Sequence, residues 1–321
     1  MPDAGGPSLY APFGLDDDPA ALGLARLVVP TPDGAVLVHQ RRADPADPAD
    51  PAAPADPAAP ASPADPVTIL LHGAAGSWTT WTPYLRAAAE AGRPVTAPVL
   101  VDLPGWGGSP APTPALDVDA AARVVLAVAD AVGAERFELV GHSLGALVAL
   151  HVAATSPGRV TRLGLVSPTT FSALEAAARP WSGVRRLPAL VLLRGVFTVL
   201  PRASSVLLRA AARVGLLTAL ASPVFRHARR VPRSVREAFV AEVRPVAFVV
   251  ATRSAPGYDT GAWSAYRGPA SAVAGADDAF AELDDLVRLR AVLPQCRTTL
   301  LPECGHFAHV EWPAATVDAL A

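Results

Sequence analysis

Ser143 stands in the pentapeptide Gly141-His142-Ser143-Leu144-Gly145, between a strand-like run, Phe137-Glu138-Leu139-Val140, and a helix-like run from Leu144 to Thr155. A serine at a sharp strand-to-helix turn holds its hydroxyl clear of the backbone at a pocket mouth, and its backbone angles are strained. The residues two before and two after must be nearly free of side chain, because strand and helix approach closely there. Gly141 and Gly145 meet that need. The helix aims its positive end at charge developing on a substrate. A serine hydroxyl is a poor nucleophile at neutral pH. It needs a base, and the base needs an orienting carboxylate.

In such a site the partners follow in the order serine, acid, histidine. Of seven histidines, His151, His227, His306 and His309 come after Ser143. His306 lies in Pro302-Glu303-Cys304-Gly305-His306-Phe307, just past the strand-like run Arg297 to Leu301, and Gly305 lets a short loop carry the imidazole back over the sheet. His309 is expected to be structural or pocket-lining, since no third ligand cluster accompanies the His306/His309 spacing and no metal is implied. His151 falls two turns into the helix, too far to reach the hydroxyl, and is read as a packing residue. His227, in an Arg-rich segment, is read as solvated. For the acid, Ser271-Ala272-Val273-Ala274 runs into Gly275-Ala276-Asp277-Asp278, where two adjacent carboxylates compete. The other place for an acid, Ser167-Pro168-Thr169-Thr170, holds none. His72-Gly73-Ala74-Ala75-Gly76 follows the apolar run Val67 to Leu71. Backbone N–H groups of Ala74 and Leu144 would converge on a carbonyl oxygen as it becomes negative, each lowering the barrier by about 3 kcal/mol. His72 itself is read as packing the loop.

These pieces together resemble the α/β-hydrolase superfamily, in its lid-bearing serine hydrolase branch. The matching segments are His72-Gly73, then Asp102-Leu103-Pro104-Gly105-Trp106-Gly107-Gly108-Ser109, then Gly141 to Gly145, Gly275-x-x-Asp278, and Gly305-His306-Phe307-Ala308-His309-Val310-Glu311-x-Pro313. The family's spacing puts the acid three residues after the glycine, which selects Asp278 and leaves Asp277 as a solvated turn or helix-cap residue. One departure is Ala146, where many members have a second glycine. The resemblance implies an α/β fold: a mostly parallel central sheet flanked by helices, with an inserted helical cap. It also implies Ser143, Asp278 and His306 as the catalytic set.

The intervening chain supplies elements to position these residues. Residues 1–24 read as an irregular lead, followed by strands at 26–30 and 35–40 around the turn Thr31-Pro32-Asp33-Gly34. Residues 44–66 are a low-complexity run of Ala, Asp and Pro, too rich in proline for sheet or helix, and are expected to form an extended or disordered loop. Strand 67–71, helix 80–91, strand 95–101, helix 117–132, strand 137–141, helix 144–156 and strand 162–166 then alternate, as in a parallel α/β sheet. Chemistry is expected at the carboxyl ends of those strands. The core is thus assigned to 25–169 and 269–321, and 170–268, where the alternation breaks into proline-separated helices, to a cap over Ser143.

With 321 residues and 51% hydrophobic content, the chain can bury one large core plus an insertion. Lysine and asparagine are absent and Ile69 is the single isoleucine, a bias with no bearing on mechanism. Cys296 and Cys304 are read as buried small residues. No basic segment followed by an apolar run opens the sequence, so a cytoplasmic location is expected. The run Leu187–Leu200 is too short and interrupted to span a bilayer. Between 171 and 268 there are 15 arginines against four acids, while the remainder carries 12 arginines against 25 acids. A basic lid could attract an anionic substrate or an anionic lipid surface, but arginines that solubilise cap helices and pair with the acidic core are preferred over it. The expected activity is hydrolysis of an ester, thioester or lactone of a small apolar molecule, with no cofactor and no nucleic-acid partner. Hydrolysis of a carbon–carbon bond, a perhydrolase or haloperoxidase reaction with the same triad, and a non-catalytic receptor are the alternatives. Trp78, Trp81 and Trp106, near the expected mouth, suggest an apolar substrate. His142, Trp78, Trp106 and Phe307 are the candidate pocket residues.

Overall fold

The computed structural model describes residues 9–41, 66–111, 117–252 and 257–321. The expectation for 44–65 lies outside the described residues. Eight strands form one sheet: β1 (Leu24–Val29), β2 (Val36–Arg41), β3 (Val67–Leu71), β4 (Ala97–Val101), β5 (Phe137–His142), β6 (Val160–Val166), β7 (Ala270–Gly275) and β8 (Cys296–Leu301). Their order is β1-β2-β4-β3-β5-β6-β7-β8. The β1–β2 and β2–β4 pairs are antiparallel and the other five pairs parallel. β1 begins two residues before the expected start, because Gly23, at φ +67, ends a short helical turn and launches the strand.

The inner strands β3 to β7 are buried along most of both faces, as crossover helices require, while the edge strand β8 is partly exposed. β7 is buried along its whole length and built of Ala, Ser, Val and Gly, which lets its neighbours pack close. The helix Leu144–Thr155 lies at the centre and buries most of its length, so it needs no polar face. The helix Val118–Ala131 is started by Asp117, whose side chain accepts from Ala120 N–H at 2.8 Å.

Between β6 and β7 the chain is helical: Phe171–Ala178, Pro180–Arg186, Pro188–Val199, Pro201–Ala211, Leu217–Ala221, Arg233–Glu242 and Pro245–Ala251. Pro180, Pro188, Pro201 and Pro245 each open a helix, where a missing N–H costs nothing and the fixed φ suits the first turn. The first of these helices is rooted on the core by Asp285. Its buried carboxylate accepts from Thr170 Oγ1 at 3.0 Å and Ser172 Oγ at 2.6 Å. Arg186 adds ion pairs to Glu175 and to Glu282. Residues 9–19 form no helix or strand, yet Tyr10 is buried against Phe225 and Val224 of this helical region.

Candidate active site

Ser143 sits between β5 and the helix Leu144–Thr155 at φ +52 and ψ −114. That backbone is strained for any residue with a Cβ, and the packing around it enforces the strain. A methyl group on Gly141 would overlap the Gly145 carbonyl, and one on Gly145 would overlap the backbone of Leu71 and His72. Ala146 is fully buried, so the methyl that departs from the family pattern is accommodated. Ser143 N–H donates to Val166 O at 3.0 Å, tying the turn to the end of β6.

The structure brings the three expected partners together. Ser143 Oγ lies 2.8 Å from His306 Nε2, and His306 Nδ1 lies 2.8 Å from Asp278 Oδ2 and 3.0 Å from Oδ1. The Asp278 side chain is 2% exposed and also accepts from Phe280 N–H at 2.7 Å. Such an arrangement lets an imidazole take a proton from a hydroxyl while a fixed carboxylate holds the ring's orientation. Asp277 lies exposed in the turn after β7, as expected for a solvated turn residue, and pairs with Arg226 of the helical region at 3.2 Å. Ala74 and Leu144 both line the cavity above Ser143, and neither N–H has a backbone acceptor among the described residues.

That cavity, of about 150 Å³, is floored by Ser143 and His306 and roofed by Leu190, Leu193, Phe197 and Phe248. Phe307 also lines it. Three expected pocket residues do not. Trp78 is buried beside β2, stacked on His39 with ring centroids 4.2 Å apart. His142 is fully buried beneath the site, its Nε2 2.9 Å from the His306 carbonyl. Trp106 is also absent from this cavity; it packs edge-on against His72 and lines adjacent hollows. His227 is likewise not simply solvated: it lies 2.9 Å from Glu303 and packs on Tyr10.

Two residues absent from the expected set contribute. Thr169 Oγ1 lies 3.2 Å from Ser143 Oγ and also lines the cavity. Its position just past β6, at the carboxyl end of the sheet, was the available signal. Glu311 is fully buried and clamps the histidine loop. Its carboxylate accepts from Gly305 N–H at 3.0 Å, Phe307 N–H at 3.2 Å, Arg226 N–H at 2.9 Å and Tyr10 OH at 2.6 Å. Burial pushes this carboxyl up, and the four donors oppose that shift.

Burial also holds His142 and His309 in the neutral form. His142 is well below the ordinary histidine range, through burial and its neighbours His309 and His306. His309 is pushed down to about 3 by burial and by His306, and it is packed among Trp81, His142 and Phe307. A folded pKa below the unfolded one means that the unfolded chain binds more protons between the two values. For His309 the stabilisation is complete above about pH 6.5 and is lost as pH falls toward 3, at about 1.4 kcal/mol per pH unit. Urea midpoints between about pH 7 and pH 4 should therefore fall with acid, and His309→Leu should flatten that slope. An unchanged slope in the variant would remove His309 from the acid response.

A family model described as alpha/beta hydrolase fold matches residues 66–313. A 2-hydroxy-6-oxononadienedioate/2-hydroxy-6-oxononatrienedioate hydrolase of Paraburkholderia phymatum is 30% identical over 253 residues, 76% of this chain and 81% of that protein. A pimeloyl-[acyl-carrier protein] methyl ester esterase of Aromatoleum aromaticum is 38% identical over 118 residues, 35% of this chain and 42% of that protein. Among solved structures, a thermophilic esterase from Thermogutta terrifontis superposes with a TM-score of 0.61 at 17% identity, covering 92% of this chain and 96% of that one, a likeness of fold alone.

Proposed function

The chain belongs to the α/β-hydrolase family, and from that premise we propose that it is a serine hydrolase cleaving carboxylic esters of apolar acids through an acyl-enzyme. One observation carries the proposal: a hydroxyl, imidazole and carboxylate in hydrogen-bonded series at the floor of an apolar cavity. As Ser143 Oγ bonds to the ester carbonyl carbon, its proton passes to His306 Nε2. The carbonyl electron pair moves onto oxygen, and the anion is met by the N–H groups of Ala74 and Leu144. Collapse of this intermediate expels the alcohol, which leaves with the proton from His306. The acyl group stays on Ser143. A water molecule then gives its proton to His306 and bonds to the acyl carbon, and Ser143 departs with that proton restored.

The cavity favours an apolar acyl group, because its roof is Leu and Phe. Carbon–carbon bond hydrolysis is a second reading, favoured by the Paraburkholderia relative and by Arg244 at the cavity wall. The substrate named for that relative is a dioate, which needs cationic partners. Arg244 is the one Arg, Asp or Glu among the residues lining this cavity, and it is engaged with Glu242 at 3.2 Å. Ester hydrolysis is therefore preferred. A panel of p-nitrophenyl esters of rising chain length should be turned over, with a preference for medium acyl chains over acetate. Faster cleavage of a dienoic keto-acid than of every ester, lost in Arg244→Leu, would establish the second reading instead.

A further inference from the structure

The helix Pro188–Val199 carries apolar side chains on two faces. Leu190, Leu193 and Phe197 line the cavity over Ser143. Leu192, Val196 and Val199, a single stripe by helical spacing, are 62%, 51% and 76% exposed. The next helix repeats the arrangement: Leu208 lines the cavity, while Val206 and Leu207 are 66% and 60% exposed. Trp181 is 93% exposed and lines a surface groove with Val184, Val191 and Val199. Val214 and Leu216, flanking a kink at Gly215, are also exposed. The inner stripes are accounted for by the cavity. The outer ones form an apolar surface of the kind that marks contact with a second apolar phase.

Charge identifies that phase. Between Glu175 and Glu237 the chain has 12 arginines and no acidic residue. Arg185, Arg202, Arg209 and Arg213 are exposed on the helices that carry the apolar stripes. None of the four is in an ion pair among the described residues. A symmetric contact between two copies would set these arginines against arginines, with no carboxylate of this segment to offset them. An anionic lipid surface offers both an acyl phase for the stripes and phosphates for the guanidinium groups. We propose that this outer face docks on an anionic bilayer surface, with Trp181 and the Leu192–Val196–Val199 stripe at the acyl boundary. The helical run Pro201–Ala221 is long and apolar enough to cross a membrane by length and composition. It lies on the surface instead, because it is broken at Gly215 and its Leu208 and Leu220 form walls of the cavity.

The test is co-sedimentation of the full chain with phosphatidylcholine vesicles, alone or with roughly one third phosphatidylglycerol. Binding is expected to the anionic vesicles only, weakening about tenfold between roughly 0.05 and 0.5 M salt. Trp181→Ser and the double variant Arg209→Glu/Arg213→Glu should each reduce it about tenfold or more. Circular dichroism melting checks that both variants remain folded. Absent binding, equal binding to neutral vesicles, or unchanged binding by both variants overturns the proposal. So does self-association without vesicle binding that Trp181→Ser abolishes, which would assign the face to a second copy. The measurement reads no turnover, so its outcome is independent of the reaction proposed for Ser143.

Discussion

Ser143→Ala is expected to lower kcat by about 10⁶-fold while the protein folds as before. Alanine replaces one side-chain oxygen in a turn whose backbone, at φ +52, is enforced by Gly141, Gly145 and the bond to Val166 O. The hydroxyl removed is the atom 2.8 Å from His306 Nε2, so no other group on the cavity floor can take up the acyl chain. The neighbouring Thr169 hydroxyl is 3.2 Å from Ser143 Oγ, but no bond between it and His306 is formed. Initial rates on a p-nitrophenyl ester, and loss of labelling by a fluorophosphonate, measure the effect. A variant that keeps most of its turnover with an unchanged circular dichroism spectrum would end the acyl-enzyme proposal. Ser143→Gly, equally inactive, should be more stable than Ser143→Ala by about 1 kcal/mol, because glycine adopts this backbone without strain.

Asp278→Asn is expected to reduce kcat by roughly 10⁴-fold. The amide would donate to His306 Nδ1, leaving the ring proton on Nε2, where it blocks acceptance of the serine proton. The fold should survive, since the amide oxygen can still accept from Phe280 N–H. Asp277→Asn is the internal control. Its carboxylate is half-solvated beside Arg226, and surface pairs of this kind are worth about 1 kcal/mol or less. Its kcat should change by less than about threefold. A larger loss for Asp277 than for Asp278 would reverse the assignment.

The turn at Ser143 was legible because its requirements are local: a strand, a helix, and two positions without side chains. His306 was legible from the glycine before it and the strand before that. Separating Asp278 from Asp277 was not local, because both follow β7 and only the fold decides which faces the imidazole. The expectation for Trp78 failed for a related reason. Nearness in sequence to the His72-Gly73 loop does not fix the side of the sheet a ring packs on, and His39 of β2 provides its stacking partner. The inner and outer faces of the helix Pro188–Val199 were likewise indistinguishable, since both are apolar. Glu311 was visible as part of a motif, but its function as a clamp depends on Tyr10, 301 positions away.

That distance bears on when the protein can become active during its synthesis. Tyr10 leaves the ribosome 301 residues ahead of Glu311. Ala11 N–H also donates to the Glu311 carbonyl at 2.7 Å, so two segments far apart in sequence close on each other around the histidine loop. The segment bearing Tyr10 must remain available until the one bearing Glu311 emerges, and a nascent chain halted short of that point has no clasp on His306. The same closure makes the segment around Tyr10 a support of the histidine loop: proteolytic removal of Tyr10 and Ala11 would leave the buried Glu311 two donors short and loosen His306 from behind.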